Sequence, residues 1–328
     1  MGESPAVHEE LLILVPLYND WIAFDLLLEH LDAVLAGEGL NAGVLAVDDG
    51  SSDPRVRRAS SPSFQALRSV DVLPLRRNLG HQRALAVSMA YVEDHGRCEA
   101  LVVMDGDGED DPRDVPRLLE RCRAEDGRKI VFAERTRRSE SWLFRAFYVL
   151  YKAAHRVLTG YGVRVGNFSV IPRERLGSLV VVSDLWNHYA AAAMRSRQPF
   201  CTIPTRRSKR LHGASKMNFV GLIVHGLSAI SVYSDIVGIR MLIVSTLILA
   251  AASCGILAIV AIRVLTDWAI PGWATYSAGI LAILIFQSLT FMLIFSMVIL
   301  GGRNASSFLP RRDYGHFVGD ARPLDESE

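Results

Sequence analysis

The sequence predicts an α/β domain with a mostly parallel sheet, followed by two membrane-spanning helices. Short apolar runs alternate with segments of helical periodicity from residue 11 to about 138, and polar clusters close each run. That alternation is the mark of a sheet covered on both faces. Further on, residues 237–262 carry one charge, Arg240, and residues 276–301 carry none. Each stretch is long enough to cross roughly 30 Å of hydrocarbon as a helix.

The elements follow in order. "LLILVPLYND" (11–20) is a buried strand running into a polar loop. "WIAFDLLLEHLDAVLAG" spaces its apolar residues as a helix does and stops at Gly37. "AGVLAVDDGSSDP" (42–54) is a second strand, "VDVLPLRRNLG" (70–80) a third, and "HQRALAVSMAYVEDHG" (81–96) a helix. "CEALVVMDGDGEDDP" holds a fourth strand, "RDVPRLLERCRAED" a helix, and "KIVFAERTRR" (129–138) a fifth strand. Asn19-Asp20, Asp48-Asp49, Arg77-Asn78, Asp105 to Asp111 and Arg135 to Arg138 all stand at strand ends. In such sheets ligands bind beyond the carboxyl ends of the strands, so these clusters point to one site.

Composition narrows the function. The 328-residue chain is 50% hydrophobic with a net charge of +1, which argues against nucleic acid as a partner. The four cysteines lack zinc or disulfide spacing. The first ten residues show neither a basic n-region nor an apolar h-region, so no signal peptide is expected. Trp268, Trp273 and Tyr276, between the apolar stretches, suit a membrane interface. Lys209, Arg210, Lys216 and Arg240 precede the first stretch or open it. Arg303, Arg311 and Arg312 follow the second, and the loop between them offers only Arg263. The positive-inside rule then places both termini and the α/β domain on the cytoplasmic side of an inner membrane, as a multi-pass protein. Residues 217–236 read as an interfacial amphipathic helix region, with packing on the globular domain as the alternative. The expected organisation is a domain over 1–216, the interfacial region 217–236, two spans within 237–302 and a cytoplasmic tail over 303–328.

No GxGxxG opens a helix and no GxxxxGK[ST] occurs, so glycine-cradle nucleotide sites are excluded. Five carboxylates instead fall between Asp105 and Asp111. Such crowding needs a compensating cation or solvent. The D-x-D pair Asp105 and Asp107, with Glu109 as a further ligand, can hold Mg²⁺ or Mn²⁺ against a diphosphate. Asp110 and Asp111 either act near the donor or cap the helix that begins near Pro112.

Several strings together resemble family-2 glycosyltransferases of the GT-A fold, in the branch of dolichyl-phosphate mannose synthases and bacterial polyprenyl-phosphate glycosyltransferases. "VPLYND" resembles the family's VPxYNE, with Asp20 in place of Glu. "VDDGSSD" matches fully, and "RNLGHQRAL", "MDGDGEDDP", "VGNFSVIPRERL" and "RLHGASKMNF" resemble further family segments. The Q-x-x-R-W string of processive synthases is absent.

The resemblance implies a Rossmann-like GT-A domain and a metal-dependent, inverting glycosyltransferase of hexosyltransferase type. It would move a sugar from a nucleotide-sugar donor to a polyprenyl phosphate or other lipid acceptor on the cytoplasmic leaflet. It implies that Pro16, Tyr18, Asp20 and Asp49 line the nucleotide pocket, with Asp105 beside them. For Asp49 the alternative is capping a turn; Asn78 either fixes a loop or touches the ribose. His81 and Gln82 either approach the diphosphate or simply open a helix. A lipid phosphate is already an anion, so its site needs cations to position it rather than a strong base. Arg135, Arg138 and Arg145 are the candidates, with Lys209, Arg210 and Lys216 closing from the juxtamembrane side, and attraction to anionic headgroups is the alternative reading of each. Asp107, Asp110 and Arg135 are the expected catalytic residues, and Asp184 lies where related enzymes keep an acid. The aromatic residues of 139–160 suit either a core stripe or a prenyl guide. Small residues in the apolar stretches allow a homo-oligomer. Transfer to a glycolipid or glycan acceptor, and a non-catalytic sugar-nucleotide-binding role, are the rival functions.

Overall fold

The computed structural model describes residues 11–53, 63–96, 98–135, 152–162, 165–213, 219–266, 268, 272–304 and 308–324. Its first compact unit comprises the chain to residue 151, residues 162–232 and residues 307–328; the second comprises 152–161 and 233–306.

The first unit is an α/β sandwich around an eight-stranded sheet. Strand β1 (Leu11–Leu17) is buried along its whole length. Leu12 and Leu14 enter one core, while Leu11, Ile13, Val15 and Leu17 enter the other. Successive strand side chains point to opposite faces, so seven apolar residues in a row demand cover on both sides. Helix α1 (Trp21–Gly37) supplies cover on one face, burying Phe24, Leu27, Leu28, Leu31 and Leu35 at helical spacing. Then come β2 (Ala42–Asp48), β3 (Leu67–Pro74), α2 (His81–His95), β4 (Ala100–Val103) and α3 (Asp114–Ala124). Helix α3 joins α1 on its face of the sheet, and α2 packs on the opposite one. Strand β5 (Ile130–Arg135), β6 (Val165–Pro172), α5 (Arg173–Val180), α6 (Tyr189–Arg195), β7 (Phe200–Thr205) and α7 (Phe219–Ser231) follow, while helix α4 (152–159), between β5 and β6 in the chain, belongs to the second unit.

The strand order is β7-β5-β6-β4-β1-β2-β3, with a short last strand, β8 (Arg322–Pro323), beside β3. Strands β1 to β4 are mutually parallel where they pair, and β5 is parallel to β7. Strand β6 enters antiparallel between β4 and β5. The chain moves from β1 outward to β2 and β3, then returns through α2 to β4 on the other side of β1. The loops after β1 and β4 therefore diverge and open a crevice at the carboxyl ends, where such sheets take ligands.

Residues 308–324, expected as a cytoplasmic tail, fold back onto the sheet. A short helix α10 (Pro310–Asp313) and a 3₁₀ turn (Tyr314–His316) lead into β8. Strand β8 pairs antiparallel with Asp71 and Val72 of β3. Nothing periodic marks this polar stretch; backbone bonds along an open sheet edge hold it, and such an edge favours cover.

In the second unit α8 (Ser234–Leu265) and α9 (Trp273–Asn304) are joined by a short connection. Ser234–Leu265 and Trp273–Leu300 are each long and apolar enough to cross a membrane. Gly238, Ser245, Ala252 and Ile259 are the buried positions of α8 and recur every seven residues. A Cβ at Gly238 would lie 2.9 Å from Ile299, and one at Gly255 would lie 2.9 Å from Leu281. Small residues let the two helices approach, as in membrane helix pairs. Outward-facing Leu247, Leu257, Phe286 and Leu293 are more than 60% exposed, which suits lipid rather than water.

Candidate active site

The crevice is built from loops that lock one another. Asn19, after β1, takes a left-handed backbone with φ of 50°. Its side-chain oxygen accepts the amides of Ser52 (2.8 Å) and Asp53 (3.0 Å), and its own amide donates to Ser51 Oγ (2.9 Å). The amide of Ser51 donates in turn to Asp48 (2.9 Å). Asp49 is 4% exposed. One carboxylate oxygen accepts the Leu79 amide (2.6 Å) and the other the Gly80 amide (2.9 Å). Burial raises its pKa, against the pull of those two bonds. Asn78 donates its side-chain N–H to the Asp49 carbonyl (2.9 Å). Asp49 thus holds the distant β3–α2 loop, and Asn78 ties that loop back to the Asp49 carbonyl. Gly50, at φ +69, sits where a Cβ would lie 2.7 Å from the Asn78 nitrogen. The "DDGSS" string thus sews the end of β2 to the β3–α2 loop.

The acidic loop after β4 is equally constrained. Asp110 is 3% exposed and accepts the Asp105 amide (3.0 Å), which makes it a brace under the loop. Asp107 accepts the Glu109 amide (2.9 Å). Gly108 adopts φ +80, and a Cβ there would run into Leu211. Asp105 Oδ1 lies 3.3 Å from His81 Nε2, which is also 2.8 Å from Asn167 Nδ2. Gln82 holds Asn167 (3.2 Å) and the Tyr189 amide (2.7 Å), a packing role. Asp111 pairs with Arg113 and accepts from Ser208 Oγ (2.9 Å); the Arg113 bonds hold its pKa at about 2.

A basic segment zips along this loop. The Ser208 amide donates to the Glu109 carbonyl (2.9 Å) and the Leu211 amide to the Asp107 carbonyl (3.0 Å). Arg207 pairs with Glu109. Arg210 spans the crevice, binding Asp20 after β1 and Asp107 after β4 (3.2 Å). Its side chain is only 16% exposed.

The predicted residues thus divide. Asp20, Asp105, Asp107 and Glu109 meet around the crevice. Pro16 is buried within β1 beneath Gly106, whose Cβ would lie 3.3 Å from the Pro16 carbonyl, so it shapes the floor. Tyr18 is 44% exposed. Arg135 closes β5 opposite Thr205. Asp184 forms an ion pair with Arg195 (3.1 Å), which ties its turn to α6. Arg138, Arg145, Lys216 and the aromatic residues from Trp142 to Tyr151 lie outside the described residues. Sequence reasoning missed Arg207 and Arg210 as partners of the acidic loop. The "RRSKR" run was the available signal, but only the fold shows where it lands.

Glu109 and Asp107 face guanidinium groups, and among the described residues no three His, Cys, Asp or Glu side chains gather into a metal cage. An oxygen-only donor set remains suited to a hard cation. Mg²⁺ is commonly held by one or two carboxylates plus substrate phosphates rather than by a full protein cage. Asp20 and Asp107 are both paired with the Arg210 guanidinium.

The profile described as Glycosyl transferase family 2 matches residues 12–179, just over half of the 328-residue chain. The undecaprenyl-phosphate 4-deoxy-4-formamido-L-arabinose transferase of Enterobacter sp. (strain 638) is 24% identical over 234 residues, 68% of this chain and 67% of that protein. The protein of the same name from Klebsiella pneumoniae subsp. pneumoniae is 25% identical over 224 residues, 64% of this chain and 63% of its own length. The chain thus spans about two thirds of these relatives. Glucosyl-3-phosphoglycerate synthase from Mycobacterium tuberculosis, solved with Mn²⁺, UDP-glucose and phosphoglyceric acid, aligns with a TM-score of 0.48 at 15% identity, covering 70% of this chain and 80% of that one.

Proposed function

Because the chain belongs to glycosyl transferase family 2, with a GT-A type α/β domain and two helices able to cross a membrane, we propose that it glycosylates a polyprenyl phosphate. A nucleotide sugar would be the donor and the cytoplasmic leaflet the location. The observation that carries this reading is the crevice between β1 and β4, lined by Asp20, Asp105 and Asp107 and joined to a membrane-helix pair in one chain. The two bacterial relatives are named for transfer to undecaprenyl phosphate, which supports the acceptor class.

In this reading Asp105 and Asp107 would hold a Mg²⁺ or Mn²⁺ ion. The ion, when bound, neutralises charge on the leaving diphosphate. Asp110 and Gly108 fix the loop so that Asp107 needs no rearrangement of its backbone. Arg210 must leave Asp107 and turn to the diphosphate. The acceptor phosphate oxygen attacks the anomeric carbon as the bond to the nucleoside diphosphate breaks, inverting that centre. Arg135, Arg138, Arg145, Lys209 and Lys216 are the proposed cations for the acceptor. No general base is required, since the nucleophile enters as an anion. Purified protein, a panel of labelled nucleotide sugars, Mg²⁺ or Mn²⁺ and short polyprenyl phosphate should yield one phosphate-linked glycolipid. Transfer that proceeds undiminished to a water-soluble sugar without lipid would defeat the acceptor assignment.

The topology supports the orientation. The chain leaves the sheet unit at Val232 and rejoins it by residue 308, and β8 pairs within the same sheet as β1. An even number of spans between two segments of the sheet unit supports placing both of its flanks on one side of the membrane, and the lysine and arginine distribution supports the cytoplasmic side. In intact cells, a cysteine placed at Thr266 should react with an impermeant maleimide, and one placed at Lys209 should not. The reverse pattern would invert the assignment.

A further inference from the structure

We infer that residues 308–324 are a positioning segment for the donor side of the active site, acting through the β3–α2 loop. The inference rests on the proposed donor crevice and adds a second controller to it.

Residues Pro74 to Gly80 leave β3 at the sheet edge and carry Asn78, Leu79 and Gly80, the residues that Asp49 and its carbonyl hold from inside. The returning segment holds the same loop from outside. The Arg76 amide donates to the Phe317 carbonyl (2.8 Å), the Arg76 Nε to the Val318 carbonyl (3.0 Å), and the Gly319 amide to the Pro74 carbonyl (2.8 Å). Leu75 and Val318 form an antiparallel bridge. The Arg77 guanidinium lies 5.9 Å from the centre of the Phe317 ring. That ring packs against Phe308 (5.7 Å) and Trp186 (5.5 Å), and Trp186 carries Arg83 of α2 on its face (5.0 Å). A second anchor lies at the far end of α2, where Arg311 pairs with Glu93 and Asp94 and the Tyr314 hydroxyl bonds to Asp94.

The segment thus holds the far end of α2 directly and its near end through the 74–80 loop and Trp186, and His81, at the start of α2, is the residue beside Asp105. Without the segment, the backbone groups of Pro74 and Arg76 would face solvent, and the loop would keep only its bonds to Asp48 and Asp49. Loops with solvent-exposed backbone bonds open most readily. A loop that must be ordered before binding weakens affinity in proportion to its disorder. The expected signature is a change in donor affinity rather than in the chemical step. Gly319 offers a local probe, because a Cβ there would lie 3.1 Å from the Pro74 ring and 3.3 Å from its carbonyl.

The test compares full-length wild type with Phe317→Ala, Phe317→Tyr and Gly319→Val, well below their melting temperatures. Hydrogen exchange of the 75–80 amides and steady-state kinetics against donor and against polyprenyl phosphate are both measured. Phe317→Ala and Gly319→Val should speed exchange at 75–80 and raise the donor KM about tenfold. Their kcat and lipid KM should change less than twofold, and Phe317→Tyr should restore the wild-type values. Unchanged exchange at 75–80 would overturn the positioning role itself. Faster exchange with an unchanged donor KM would show that the loop is held but does not serve the donor, which separates failure of this inference from failure of the glycosyltransferase reading. A fall in kcat alone would also overturn it.

Discussion

Replacing Asp107 by Asn should lower kcat/KM by at least about 10³-fold while leaving the fold intact. A thousandfold loss corresponds to about 4 kcal/mol of lost transition-state stabilisation, the scale of a catalytic cation's contribution. Asparagine is nearly isosteric and its oxygen can still accept the Glu109 amide now bound at 2.9 Å. The substitution therefore removes charge, and little geometry, from the crevice. The half-buried Arg210 would keep Asp20 but lose its second carboxylate. Glu109→Gln is the matched comparison. Its carboxylate faces Arg207, and its backbone bond to Ser208 survives the change, so a loss under tenfold is expected. Steady-state kinetics on both variants, with melting temperatures within a few degrees of wild type, checks the pair. Equal losses would mean that Asp107 holds no special place in the loop.

Asp49→Ala should be the most destabilising change near the crevice, by about 2–5 kcal/mol. It leaves the Leu79 and Gly80 amides without their acceptor, and each buried unsatisfied amide costs about 1–3 kcal/mol. The pH dependence follows from the raised pKa of Asp49, where burial outweighs the two amide bonds. A carboxyl whose folded-state pKa lies above its unfolded value binds protons more tightly when folded. Its contribution is full below the unfolded pKa and is lost as pH rises through the folded one. The penalty for Asp49→Ala should therefore shrink as pH is raised from about 4 to 7. Denaturant titrations of both proteins across that range give the answer, and a penalty that grows with pH would contradict the burial argument.

The sheet and its crevice were legible because their strands are continuous apolar runs. Residues 11–17 cannot be solvated on either face, and each such run ends in residues that must be. The apolar helix pair was legible for the same reason. Two strands were not. "VGNFSVIP" forms β6 and "FCTIPT" forms β7, mixed sequences whose strand character comes from partners far along the chain. The C-terminal return was hidden for a related reason. Arg322 and Pro323 make a two-residue strand, and its bonds are to backbone, which leaves no side-chain signature. Within the candidate site, residue types pointed to loops that the fold brings together, while contacts at single positions depended on geometry. Asp49 and Asp110 sit in the "VDDGSSD" and "MDGDGEDDP" strings, and both carboxylates accept backbone amides and hold loops in place. Arg210 was visible as one of several basic residues near the membrane. Its reach across the crevice to Asp20 requires the whole sheet between them.

We propose that Asp107 would release the Arg210 guanidinium and hold a divalent cation when a nucleoside diphosphate binds. The most direct measurement is a structure of the full chain with Mn²⁺ and the nucleoside diphosphate of its own donor, with manganese located by anomalous scattering. The expected result is one manganese peak beside the Asp107 carboxylate, with the Arg210–Asp107 contact broken. A bound diphosphate with Arg210 still on Asp107 and manganese elsewhere would contradict it.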